Sequence, residues 1–95
     1  MERISTTFYS DFSIADKFGI NAIKDTYRRA FAAWKNDIQY MTELSMVLNR
    51  KCWEYWNIGN NTYCELYSEL FHKVNDYVYD NFTGEDIEFY FSVTD

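Results

Sequence analysis

The sequence predicts an all-α protein, a small antiparallel three-helix bundle with short additional helices at the N- and C-termini, formed by residues 1–95 as one domain. Three observations favour this fold. Proline, which interrupts helices, is absent, and the chain contains only three glycines. Apolar residues recur at helical spacing through most of the chain. Aromatic residues make up 21% of the composition, which is enough apolar material for a packed core.

The first two helices are predicted from apolar stripes. In the first, Ser10 or Asp11 is placed to cap the start and Gly19 to close the end. Its stripe consists of Phe8, Phe12, Ala15 and Phe18. A second stripe, at about 100° per residue, predicts a helix over residues 21–36. Its members are Ile20, Ile23, Tyr27, Ala30, Phe31, Trp34 and Ile38.

The third predicted helix, residues 38–57, is apolar on two sides. Its inward stripe comprises Tyr40, Met41, Leu44, Val47, Leu48, Cys52 and Tyr55. Its back carries Met46, Asn49, Trp53 and Trp56. A helix that is apolar on two sides is either central or part of an interface. The favoured prediction is that the back is covered by Phe8, Phe12, Phe89 and Phe91; the alternative is an exposed aromatic patch that binds a partner.

The fourth predicted helix, residues 63–82, has an acidic outer face. Thr62 and Glu65 have the spacing of a capping box, and Gly84 is placed to end the helix. The outer carboxylates are those of Glu65, Glu69, Asp76 and Asp80. Such a face promotes solubility, or it forms a docking surface for a basic partner. The tail, residues 85–93, fits both strand and helix patterns, and a short helix is favoured over pairing with the N-terminal RISTTFY.

Several segments resemble a known group of proteins. TFYSDFSIADKFG, AIKDTYRRAF, TELSMVLN and the closing FYF and TD are similar to small uncharacterised accessory proteins of conjugative elements and phages of gut Firmicutes. The similarity extends over nearly the whole chain. It implies no catalytic motif, and it implies a role as an accessory protein of a mobile element.

Charge limits the classes of function. The net charge is −6, and residues 52–95 hold one Lys or Arg against nine Asp or Glu, a balance of −8. Direct nucleic-acid binding needs clustered basic residues and is therefore not expected. The start lacks the pattern of a signal peptide, and no apolar run reaches the about 18 residues of a membrane span. The sequence thus predicts a cytoplasmic protein that does not bind membranes.

Residues capable of chemistry are few. Cys52 and Cys64 flank the turn of a predicted hairpin, and small buried thiols are favoured over a disulfide in a reducing compartment. His72 lies eight residues after Cys64 on one helix, too far to share a metal ion with it. Ser68, His72 and Asp76 form a row that is interpreted as a solvated helix face. No cofactor, metal site or catalytic residue is predicted.

The leading hypothesis is a non-catalytic protein-interaction and regulatory module that uses the acidic helix face, the aromatic patch or both. Its predicted partner is a basic protein or a second copy of the chain. One alternative is a small-ligand-binding helical protein, because the aromatic content exceeds what so small a core requires. Another is an acidic nucleic-acid mimic that inhibits a DNA-binding enzyme. Hydroxyl groups of core tyrosines need partners, so Tyr27, Tyr40, Tyr67 and Tyr77 are expected at the rim of the core.

Overall fold

The computed structural model describes residues 5–94 and the side chains of residues 8–93. Each regular element in this part of the chain is an α-helix, which confirms the predicted all-α class. The helices are α1 (Ser5–Asp16), α2 (Ile20–Trp34), α3 (Ile38–Asn57), α4 (Asn61–Asn81) and α5 (Glu85–Thr94). The core lies among them and contains Phe8, Phe12, Ala15, Ile23, Tyr27, Met41, Leu44, Val47, Leu48, Leu66, Tyr67, Leu70, Val74, Val78 and Tyr90.

The hairpin of α3 and α4 is the centre of the fold, and these two helices form the most extensive contact among the described residues. The Asp37 carboxylate accepts hydrogen bonds from the backbone N–H groups of Gln39 and Tyr40 at 3.0 and 3.2 Å, so α3 begins at Ile38. The bounds of this helix agree with the predicted residues 38–57. A three-residue turn then makes α4 antiparallel to α3, and Gly59 in this turn has a φ of 80°.

The ends of α4 differ from the prediction. The side chain of Asn60 caps this helix by accepting a hydrogen bond from the backbone N–H of Tyr63 at 3.1 Å. The predicted capping box of Thr62 and Glu65 is therefore wrong, because asparagine caps a helix at least as well as threonine and here starts it earlier. The helix ends at Asn81, before the predicted stop at Gly84, which has a φ of 61° in the connection to α5.

The first helix contributes directly to the core. Phe12 is fully buried, and its ring meets that of Tyr67 edge to face with centroids 5.8 Å apart. Two details of the prediction are wrong. The described part of the helix already includes Ser5, so the predicted caps Ser10 and Asp11 lie inside the helix. Phe18 follows the end of the helix and is 78% exposed, because the chain turns before Gly19 and does not continue the stripe.

The second helix ends at Trp34, two residues before the predicted end. The backbone N–H of Asp37 donates to the carbonyl of Trp34 at 2.9 Å, in the turn that precedes the cap of α3. Ile23 is buried as the stripe predicts, and Tyr27 is also buried, which differs from its predicted place at the rim of the core. The Trp34 ring is 37% exposed and stacks on Tyr40, with centroids 3.8 Å apart, so the end of α2 lies at the edge of the core.

The tail is helical, as favoured by the sequence. Tyr90 is fully buried, and its hydroxyl is hydrogen-bonded to Ser45 Oγ at 2.9 Å and to the Asn75 side chain. The ring of Phe91 packs against that of Tyr79, with centroids 5.2 Å apart. Through these contacts α5 packs on α3 at Ser45 and on α4 at Asn75 and Tyr79.

Candidate functional site

Two exposed tryptophans lie on the last two turns of α3. Trp53 is 56% exposed and Trp56 is 60% exposed. Because they are three residues apart, their side chains are neighbours on one side of the helix. With Cys52 and Cys64 they line an apolar hollow of about 250 Å³. These four residues are called the tryptophan patch below.

The favoured prediction that phenylalanines of the terminal segments cover the back of α3 is wrong for Trp53 and Trp56. Phe8 and Phe12 are buried in the core among α1, α3 and α4. The tail helix reaches α3 through Tyr90 and Ser45, eight residues before Trp53, and Phe89 itself is 37% exposed. The contact of α5 with α3 therefore lies about two turns before the tryptophans along α3. Of the four residues predicted on the back of α3, the structure leaves Met46 and Asn49 half-buried and Trp53 and Trp56 exposed.

The two cysteines meet at the base of the patch. The Sγ atoms of Cys52 and Cys64 are 3.4 Å apart across the α3–α4 hairpin, and both thiols are free. Burial, with the hydrogen bond to Cys64, raises the pKa of Cys52 to about 11. Each cysteine is only half-buried, which differs from the prediction of small buried thiols. The two sulfur atoms are therefore pre-positioned, and burial disfavours loss of the proton from Cys52.

The acidic face of α4 is divided. Glu65, Glu69, Asp76 and Asp80 are exposed, as the helical pattern predicts. Lys24 of α2 lines the same shallow depression as Glu65 and Glu69. His72 and Lys73 are exposed between the two pairs of carboxylates. Lys24 thus lies beside one pair of carboxylates of α4, and His72 and Lys73 separate that pair from Asp76 and Asp80.

The row of Ser68, His72 and Asp76 is not gathered into a pocket. His72 and Asp76 are exposed, and Ser68 is half-buried. The ring of His72 packs edge to face against Phe71, with centroids 5.6 Å apart. A histidine in this position is surrounded by water on its outer side, where hydrogen bonds to a nucleophile are weak.

A buried ion pair, absent from the predicted sites, joins α1 to α3. Lys51 Nζ is 2.9 Å from Asp16 Oδ2 and 2.8 Å from Ser13 Oγ, and the two charged side chains are only 5% and 9% exposed. The ammonium group also lies 4.5 Å from the centre of the Tyr9 ring. The tyrosine hydroxyl in turn donates to Glu54 Oε2 at 2.5 Å. These contacts satisfy both charges, so the pair fastens α1 to the hairpin.

Tyrosines from α4 complete this cluster. The hydroxyl of Tyr67 donates to Asp16 Oδ1, and that of Tyr63 donates to the Asp16 carbonyl at 3.3 Å. Tyr67 is fully buried, so its predicted place at the rim is wrong: the buried carboxylate supplies the partner that the rim was expected to provide. Burial and the contact with Asp16 raise the pKa of Tyr67 far above its usual range.

A sequence signal for this pair exists. Lys51 lies three residues after Leu48 and seven after Leu44, in register with the inward stripe of α3. Asp16 lies four residues after Phe12, in register with the stripe of α1. One cation and one anion on two facing apolar stripes indicate a buried pair, since an unpaired charge there is costly.

Stability is expected to fall as pH rises from about 10 to 12. Burial raises the pKa of Tyr27 to about 12, and burial also raises the pKa of Tyr55 and Tyr67. Tyrosines of the unfolded chain lose their protons near pH 10, so above this pH the unfolded state binds fewer protons than the folded state and is favoured. The loss is at most about 1.4 kcal/mol per pH unit for each such tyrosine.

Urea unfolding at about pH 9 and about pH 11 measures this loss. Tyr27→Phe is the matched variant, because it keeps the ring and removes the titrating group. It should reduce the dependence on pH, and a free energy of unfolding that is the same at both pH values would contradict the prediction.

A second apolar groove, also absent from the predicted sites, lies between α1 and α2. Its volume is about 570 Å³, and it is lined by Phe8, Asp11, Ile14, Ala15, Phe18, Ala22, Asp25, Thr26, Arg29, Ala30 and Trp34. Ile14 and Phe18 are 56% and 78% exposed. The groove could not be predicted from the apolar pattern, because that pattern does not show that α1 ends at Asp16, between Ile14 and Phe18.

Within the part of the chain that the structure describes, no three His, Cys, Asp or Glu side chains are grouped so as to hold a metal ion. None of the described helices combines the length and apolar character needed to cross a bilayer. Comparisons with protein-family models, with curated proteins and with solved structures found no match to this chain.

Proposed function

We propose that the chain is a non-catalytic interaction module that binds a basic protein partner through the tryptophan patch, assisted by the acidic face of α4. The observation that carries the proposal is the exposure of Trp53 and Trp56, at 56% and 60%, on the best-packed pair of helices. Tryptophan is enriched among the residues that dominate binding energy at interfaces. In this proposed function, α2, α3 and α4 form an antiparallel bundle that holds the surface rigid.

Burial of the patch has a substantial effect on affinity. A tryptophan side chain buries roughly 150–250 Å², so covering the exposed part of each one stabilises a complex by about 3 kcal/mol before the costs of association. The partner is inferred to be basic because residues 52–95 carry a balance of −8. Opposite charge mainly speeds association and selects the partner, whereas the tryptophans slow dissociation.

The resemblance of the sequence to mobile-element proteins supports a regulatory role for this module in the cytoplasm. A nucleic-acid mimic is less well supported, because His72 and Lys73 interrupt the row of carboxylates on α4. The groove between α1 and α2 supports a second candidate function, binding of a small apolar ligand. Its volume of about 570 Å³ lies in the range of ligand pockets, and its lining is mainly apolar with a few charged groups.

The double variant Trp53→Ser/Trp56→Ser is expected to bind the partner at least about 30-fold more weakly, the loss typical of interface hot spots. The partner is captured on the immobilised wild-type chain from a lysate of the natural host, identified by mass spectrometry, purified and titrated against each variant. Because both tryptophans are more than half exposed, the free energy of unfolding of the double variant should differ from that of the wild type by no more than about 1 kcal/mol.

Phe18→Ser is the matched control, since Phe18 is 78% exposed but lies in the groove between α1 and α2. It should leave binding unchanged. Charge reversal of Asp76 and Asp80 to lysine should slow association and weaken its dependence on salt. Loss of binding in Phe18→Ser alone would assign the activity to the groove. If the wild-type chain forms a dimer and the double tryptophan variant does not, the partner of the patch is a second copy of the chain and not a basic protein.

A further inference from the structure

We infer that Cys52 and Cys64 are a modification site: they form a reversible intramolecular disulfide by exchange with low-molecular-weight disulfides. The geometry is the first argument. Their Sγ atoms are 3.4 Å apart, and a disulfide requires about 2.05 Å, so the sulfur atoms have to approach by only about 1.4 Å. Side-chain rotation with a slight movement of the helices supplies a change of this size.

The position of the pair in the fold is the second argument. Cys52 lies near the end of α3 and Cys64 lies in the first turn of α4, on the two sides of a three-residue turn. Because these helices pack more extensively than any others described, the two thiols are held near each other. Reacting groups that are pre-positioned in this way have a high effective concentration, so closure is faster than attack by a second external molecule.

Access is the third argument. Both cysteines are half-buried rather than enclosed. Together with Trp53 and Trp56 they line the hollow of about 250 Å³. Since both tryptophans are more than half exposed, a small disulfide such as oxidised glutathione can approach the sulfur atoms without unfolding the helices.

The reaction proceeds in two exchange steps. The Cys64 thiolate attacks one sulfur of the small disulfide, whose S–S bond breaks, and the departing thiolate takes up a proton from water. The Cys52 thiol then releases its proton to solvent, and its sulfur attacks the Cys64 sulfur of the mixed disulfide. The second small thiolate leaves. Two cysteine thiols are thereby oxidised, and one small disulfide is reduced by two electrons to two thiols.

This inference is independent of the proposed partner, because it concerns only the two sulfur atoms and a small reagent. Its test uses the folded wild-type chain in mixtures of reduced and oxidised glutathione. The expected product is a monomer that has lost two hydrogen masses and both free thiols, keeps its helical circular dichroism, and regains both thiols in dithiothreitol. Closing a short loop is expected to raise the Tm by on the order of 10 °C.

Cys52→Ser and Cys64→Ser are the matched controls, since each keeps one thiol without its resolving partner. Cys52→Ser should stop at the mixed disulfide with glutathione, and Cys64→Ser, which lacks the sulfur that attacks first, should form neither that product at the same rate nor the intramolecular disulfide. The inference is overturned if the wild-type chain also stops at the mixed disulfide, if it forms covalent dimers, or if both thiols persist under oxidising mixtures. It is equally overturned if the intramolecular disulfide forms only after urea is added, because the folded hairpin would then not be the reacting species.

Discussion

Replacing Asp16 by alanine is expected to lower the free energy of unfolding by about 3–5 kcal/mol, a large part of the about 5–15 kcal/mol typical of a small domain. The change leaves the buried ammonium group of Lys51 without its carboxylate, which is 2.9 Å away in the native protein. It also removes the acceptor of the buried Tyr67 hydroxyl. Urea unfolding followed by circular dichroism measures the loss.

Asp25→Ala is the matched control. Asp25 also pairs with a cation, Arg28, but the two side chains are 58% and 67% exposed, and exposed pairs contribute about 0–1 kcal/mol. A second control replaces both buried charges, as Asp16→Leu with Lys51→Met. Because two apolar side chains need no countercharge, the double variant should recover the part of the loss that comes from the unpaired Lys51 ammonium group, but not the part that comes from the Tyr67 hydroxyl without its acceptor. Equal losses in Asp16→Ala and Asp25→Ala would show that the buried pair does not fasten α1.

The extents of α2, α3 and α4 could be predicted from the sequence because each helix carries a long periodic stripe. The stripes of α2 and α3 have seven positions each, and that of α4 has eight: Leu66, Tyr67, Leu70, Phe71, Val74, Tyr77, Val78 and Phe82. So many positions determine which face of a helix is buried, and small errors at the ends leave that face unchanged. The cap of α4 could not be chosen from local sequence alone. Asn60 and Thr62 both suit an N-cap, and the structure places the start at the earlier residue.

The tertiary contacts could not be predicted, since they depend on the directions in which the helices pack. Phe12 and Phe18 belong to one stripe in the sequence, yet the first is fully buried and the second is 78% exposed, because the chain turns between them. The same limit applies to the candidate site. The sequence places Trp53 and Trp56 on the back of α3, but the choice between cover and exposure depends on where α5 docks.

The variant Tyr90→Ala tests where α5 docks. It is expected to lower the free energy of unfolding by about 3–5 kcal/mol, in the range for truncation of a fully buried aromatic side chain. The change removes the ring from the core and leaves Ser45 and Asn75 without the hydroxyl that they share. Tyr90→Phe keeps the ring and loses only the hydroxyl, so a smaller loss of about 1–3 kcal/mol is expected. Phe89→Ala, at a neighbouring residue that is 37% exposed, should cost less than Tyr90→Ala.

Hydrogen exchange of residues 85–93 decides how Tyr90→Ala acts. If α5 is held mainly by this one side chain, its amides should exchange much faster in the variant while those of α4 remain protected. Uniformly faster exchange would instead show that α5 unfolds together with the core. Equal stability of Tyr90→Ala and the wild type would contradict the docked position itself. Selective release of α5 is expected to expose Ser45 of α3 and Asn75 of α4, which contact the Tyr90 hydroxyl in the native protein.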